Sequence, residues 1–141
     1  MRTLSLALGG GGAKGIAHIG VLKILCQADD LKIEAICGTS MGGLIAALYA
    51  TGKTPDEIKE IALSELEQSQ SPRGIGIRGR TTLATWAESF IEQHLGSCTF
   101  DRLKIPLCVT AVDLNMRRAI VLDKGSVAEA VRATIAVPGI L

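Results

Sequence analysis

Hydrophobic positions along the chain switch between two rhythms. Thr3 to Leu8 is a short apolar run that halts at Gly9-Gly10-Gly11-Gly12, and from Lys14 the apolar residues move to helical spacing, with Ile16, Ile19, Leu22 and Ile24 to Leu25 on one side. That sequence of patterns predicts strand, tight loop, helix. Ile33 to Cys37 is a second short apolar run ending at Gly38, after which Leu44, Ile45 and Leu48 recur as a helix face up to Gly52. The same unit is therefore predicted twice.

Local signals set the later boundaries. Thr54-Pro55-Asp56-Glu57 combines an N-cap, a proline at the first helical position and a glutamate three after the cap, which predicts a helix running to about Gln68. Ser69 to Arg80 holds Pro72, Gly74, Gly76 and Gly79 with three arginines and is expected to be a loop. Because Ile75 and Ile77 alternate with Arg73, Arg78 and Arg80, that loop is also a candidate for peripheral contact with a membrane. A helix from Thr82 carries Leu83, Trp86, Phe90, Ile91 and Leu95 and closes at Gly96. Pro106 to Leu114 and Arg118 to Leu122 are expected strands joined by a turn at Asn115-Met116, and Ser126, with Glu129 three later, opens a last helix to about Ala136. Strands alternating with helices predict an α/β fold with a mostly parallel central sheet covered by helices on both faces.

Composition narrows the function classes. The length of 141 residues suits one domain, spanning 1–141, and the formal net charge of +1 excludes a strongly basic nucleic-acid binder. Base stacking has only Trp86, Tyr49, Phe90 and Phe100 to work with, so no nucleic-acid partner is expected. Cys26, Cys37, Cys98 and Cys108 lie far apart with no C-x-x-C pair, which favours buried thiols of a cytoplasmic protein over a metal site. No stretch reaches the ~18 apolar residues of a membrane span. Val137-Pro138-Gly139-Ile140-Leu141 is apolar with no polar tail, as in a C-terminally truncated chain, and exposed core surface there would favour self-association.

Two glycine motifs carry the candidate chemistry. Gly38-Thr39-Ser40-Met41-Gly42 fits G-x-S-x-G, whose small flanks permit a sharp strand-to-helix turn that exposes a strained serine. Chance yields the pattern about 0.1 times in a chain of this glycine and serine content, but here it falls between a predicted strand and a predicted helix, as the mechanism needs. Ser40 is thus the candidate nucleophile, against the plainer role of helix N-cap. Gly9 to Gly12 offers unshielded backbone N–H groups at a helix start, suited to an anion. Gly10-x-Gly12-x-x-Gly15 also matches a dinucleotide fingerprint, yet the second strand runs into Gly38-Thr39-Ser40 rather than ending in an acid, and Gly15 follows Lys14 where a P-loop needs Ser or Thr. The loop of Gly10, Gly11 and Gly12 is therefore expected to be an oxyanion hole, with packing glycines as the alternative. Lys14 sits in a first helical turn, where a cation opposes the dipole unless a substrate anion or a carboxylate compensates. His18 and His94 are expected to be packing or capping residues rather than triad members.

These residues resemble the patatin-like phospholipases, and among them short bacterial proteins similar to the neuropathy target esterase catalytic domain. Gly10-Gly11-Gly12-Ala13-Lys14-Gly15 looks like the family's oxyanion loop, with His18-Ile19-Gly20-Val21-Leu22 continuing its helix, and Gly38 to Gly43 looks like its nucleophile elbow. Thr110 to Leu114 is similar to a core strand, and Arg132 to Pro138 to the segment before the substrate pocket, with Thr134 standing where serine is commoner. The resemblance implies a serine acyl hydrolase of (lyso)phospholipid or related esters, working through a Ser-Asp dyad without metal or cofactor. It implies Lys14, Gly15 and Met41 beside the substrate. The dyad aspartate of a D-G-G or D-G-A motif is missing here, Asp113 and Asp123 being poor substitutes, so the base is expected beyond this chain and the fragment is expected to be weakly active or inactive. The alternative is a nucleotide- or acyl-binding module without catalysis.

Overall fold

In the computed structural model, which describes residues 1–70 and 80–136 with the side chains of 68–70 and 80–84 left aside, four strands form one sheet in the order β1-β2-β3-β4. β1 (Arg2–Leu8) lies parallel to β2 (Leu31–Gly38), which lies parallel to β3 (Leu107–Asp113), and β4 (Arg118–Leu122) turns back antiparallel. The expected α/β class and mostly parallel sheet are both present. Register shifts between Leu4 and Ser5, where β2 accommodates Glu34 as an extra residue.

Five helices accompany the sheet: α1 (Ala17–Cys26), α2 (Met41–Ala50), α3 (Pro55–Gln70), α4 (Arg80–Leu95) and α5 (Val127–Ile135). Strand order advances in one direction from β1 to β3, and right-handed crossovers between parallel strands then deliver their helices to the same face. α2 packs against both α1 and α5, and all three contact the strands accordingly. Of the two helical layers expected, the described residues supply this one. Leu8, Ile36 and Val109 are buried beneath it, whereas Ala7, Val112 and Val121, pointing the other way, are exposed.

α2 is the central helix, with Leu44 to Leu48 all buried. On α1, Ile19 and Leu22 face inward while Ile24, expected beside them, is 67% exposed, because two residues of helix turn it roughly 200° from Leu22. The Thr54 signal forms a complete capping box: Glu57 accepts from the Thr54 amide at 2.6 Å, and Thr54 Oγ1 accepts from the Glu57 amide at 3.2 Å. Ser126 Oγ likewise accepts from the Glu129 amide at 3.2 Å.

α3 reaches Gln70 and α4 begins at Arg80, so both helices extend past the boundaries expected for the arginine-rich loop. The remainder of that loop, with the membrane-facing expectation attached to it, lies outside the described residues, as do Val137 to Leu141. The expectation of buried thiols needs correction. All four cysteines are free, Cys26 is exposed at the last residue of α1, and Cys37, Cys98 and Cys108 are half-buried.

Candidate active site

β2 ends at Gly38 and α2 starts at Met41, leaving only Thr39 and Ser40 to reverse the chain. The reversal forces Ser40 to φ 54° and ψ −124°, left-handed backbone that costs a non-glycine residue about 1–3 kcal/mol. Its side chain makes no capping bond to α2, so the N-cap role is not the one it fills. Among the described residues Ser40 Oγ has no hydrogen-bond partner.

Three contacts hold this strained turn. The Thr39 amide donates to the Leu8 carbonyl at 3.0 Å, tying the elbow to the end of β1. The Ser40 amide donates to Thr134 Oγ1 of α5 at 2.8 Å, and Thr134 is only 8% exposed. Thr39 Oγ1 and Thr110 Oγ1 lie 2.6 Å apart across β2 and β3. Gly42 is confined as well: a Cβ there would overlap the carbonyls of Leu8 and Gly9, so the helix start and the glycine loop touch backbone to backbone.

The loop reaches the serine from β1. A Cβ built on Gly10 would stand 3.4 Å from Ser40 Cβ and 3.5 Å from the Thr39 carbonyl, which makes Gly10 and Ser40 immediate neighbours. Gly12 has φ 55°, open to glycine at little cost, and a 3-10 turn over Gly12–Ile16 then feeds α1. Among the described residues, no hydrogen bond uses the amides of Gly10, Gly11 or Gly12. Free N–H groups beside an unpartnered hydroxyl, with the positive end of the α2 dipole at the same point, can stabilise negative charge forming next to Ser40.

His18 Nε2 lies 2.8 Å from the Gly9 carbonyl, to which its N–H donates, so it clamps the loop. His94 stacks on Phe90 with ring centroids 4.6 Å apart, and burial followed by the charge of Lys53 lowers its pKa. Neither ring is bonded to Ser40. Gly15 is buried against Met41, since a Cβ on it would lie 2.6 Å from Met41 Cγ, while Lys14 is exposed and makes no ion pair among the described residues.

Asp113, one of the two internal carboxylates considered as a base, is engaged elsewhere. Asp113 Oδ1 accepts from the amides of Asn115 and Met116, both at 3.0 Å, and so holds the β3–β4 turn. Asp123 follows β4, with β3 between it and β2. Among the described residues no group of three or more His, Cys, Asp or Glu side chains could hold a metal. No described helix is long and apolar enough to cross a membrane.

Sequence reasoning did not identify the bond from Thr134 to Ser40. A signal was present, because Val127, Ala130, Val131 and Thr134 form one buried helical stripe and only the last carries a polar group.

A family model described as patatin-like phospholipase matches residues 6–141, and the chain belongs to that family. An uncharacterized NTE family protein of Mycobacterium tuberculosis is 33% identical over 146 residues, covering 98% of this chain and 38% of that protein. Human patatin-like phospholipase domain-containing protein 6 is 47% identical over 60 residues, 43% of this chain and 4% of its own. The chain thus spans well under half the length of these relatives. The crystal structure of the type III effector protein ExoU superposes with a TM-score of 0.60 at 19% identity, over 96% of this chain and 40% of that one. That likeness shows the shared fold.

Proposed function

We propose that this chain carries the nucleophile and oxyanion half of a serine acyl hydrolase acting on (lyso)phospholipids or related carboxylic esters. The observation that carries the reading is Ser40: left-handed, uncapping, unpartnered at its hydroxyl and in contact with the glycine loop. In the proposed reaction Ser40 Oγ attacks the ester carbonyl while a base takes its proton. The carbonyl oxygen becomes an oxyanion facing the amides of Gly10, Gly11 and Gly12. Collapse of the tetrahedral intermediate expels the alcohol and leaves an acyl-serine, which water then hydrolyses.

The base is an aspartate outside the described residues, forming a dyad with Ser40, and the residues described so far would bring roughly 10²- to 10⁴-fold less rate without it. Lys14 and Met41 border the substrate, Lys14 as an exposed cation suited to a phosphate head group and Gly15 as the support beneath Met41. No metal or cofactor enters these steps.

The test uses the full protein carrying this chain, with a fluorophosphonate probe and a p-nitrophenyl ester. Wild type should label at Ser40 and turn over the ester, and folded Ser40→Ala should do neither. Unchanged turnover by Ser40→Ala would remove the serine from the mechanism. Absence of labelling together with tight nucleotide binding by calorimetry would favour the binding-module alternative.

A further inference from the structure

The face of the sheet opposite the helices carries a second arrangement, independent of the reading of Ser40. Cys37 of β2 and Cys108 of β3 are register partners on adjacent parallel strands, both free and both half-buried. On the same face, one residue past the end of β2, Thr39 meets Thr110 of β3, their hydroxyl oxygens 2.6 Å apart. Side chains on this face of the β2–β3 pair therefore meet across the strands.

We infer that Cys37 and Cys108 form a reversible dithiol–disulfide site, closed by a peroxide oxidant. Neighbouring strands stand about 4.8 Å apart, inside the ~4.4–6.8 Å window of Cα separations that a disulfide spans. Side chains that stand upright on neighbouring strands are spaced by about the same 4.7–4.9 Å, against about 3.5–4.5 Å between the Cβ atoms of relaxed disulfides, so closure draws the two side chains together under strain. Strained disulfides are the readily reduced ones, which suits a bond made and broken in use rather than a permanent staple.

Access exists. Both cysteines line a cavity of about 930 Å³ that is bordered by Ser5, Ala35, Leu103 and Asp123. Burial, then Cys37, then Asp123 push the Cys108 thiol up from its ordinary pKa, which disfavours Cys108 as the first thiolate to attack. Cys37 sulfur displaces water from hydrogen peroxide, breaking the O–O bond and leaving a sulfenic acid. Cys108 sulfur then attacks the sulfenic sulfur, forming the S–S bond and releasing a second water. Two thiols lose two protons and two electrons, and one peroxide becomes two waters.

The experiment treats the reduced full protein with hydrogen peroxide, blocks remaining thiols with iodoacetamide and maps peptides without reduction. A linked Cys37–Cys108 peptide is expected, lost on addition of dithiothreitol, with Cys26 and Cys98 alkylated. In Cys108→Ser the reaction should stop one step earlier, so Cys37 should be trapped by dimedone at a several-fold higher yield than in wild type. Full alkylation of Cys37 and Cys108 after peroxide would overturn the inference. So would separate oxidation of the two to sulfinic acids, or dimedone trapping at Cys37 that is the same in wild type and Cys108→Ser.

Discussion

Thr134→Val exchanges the one side-chain atom that holds the Ser40 amide for a methyl group of nearly equal volume. The wild-type bond is 2.8 Å long and Thr134 is 8% exposed, so water cannot readily replace the lost acceptor. Leaving a buried donor unsatisfied costs about 1–3 kcal/mol. The same bond helps offset the left-handed backbone of Ser40, so part of the cost should be relieved by the elbow relaxing, and relaxation moves the proposed nucleophile. A displacement near 1 Å is enough for about a 10²-fold loss of reactivity. Thr134→Ser is the discriminating partner, because it keeps the oxygen but drops the Cγ2 methyl, which packs on Gly43 closely enough that a Cβ there would lie 2.9 Å away. Losing one buried methyl costs about 1 kcal/mol. Thermal unfolding should therefore show both variants destabilised, while the rate of fluorophosphonate labelling should fall about 10²-fold in Thr134→Val and less than about threefold in Thr134→Ser. Equal labelling rates in wild type and Thr134→Val would refute the argument that the bond sets the geometry of the serine.

Ser40→Gly should abolish labelling yet raise stability by about 1 kcal/mol, since glycine adopts φ 54° without the side-chain penalty; a loss of stability in denaturant titration would contradict the assigned strain. Tyr49 is pushed up to about 12 by burial and by its contact with Cys26, so the unfolded chain ionises first and stability should fall as pH rises from about 10 to about 12; a flat unfolding free energy across that window in wild type, or an equal fall in Tyr49→Phe, would refute it.

Much of the fold was legible because its determinants are local. The two strand-loop-helix units show in apolar spacing, and the Thr54 and Ser126 caps are decided within four residues. The elbow was legible for the same reason, as a tight turn writes its steric needs into adjacent small residues. What escaped was contact between distant segments. The Thr134 bond joins residues 94 apart in sequence, and the pairing of Cys37 with Cys108 depends on which strands become neighbours and in what register. Local spacing also misplaced Ile24, and the left-handed Arg117 in the β3–β4 turn has no residue type to announce it. In the turn Asp113 takes two amides, a geometry that fixes the following residues more firmly than their own preferences do.

The separation between Ser40 and Thr134 also orders events during synthesis. At roughly 5–20 residues per second, a ribosome takes about 5–20 s to travel from the elbow to the residue that fastens it. In that interval β1, β2 and α2 can assemble from local contacts, but α5 does not yet exist to receive the Ser40 amide. The nascent chain therefore carries Ser40 without its finished backbone geometry until the fifth helix docks.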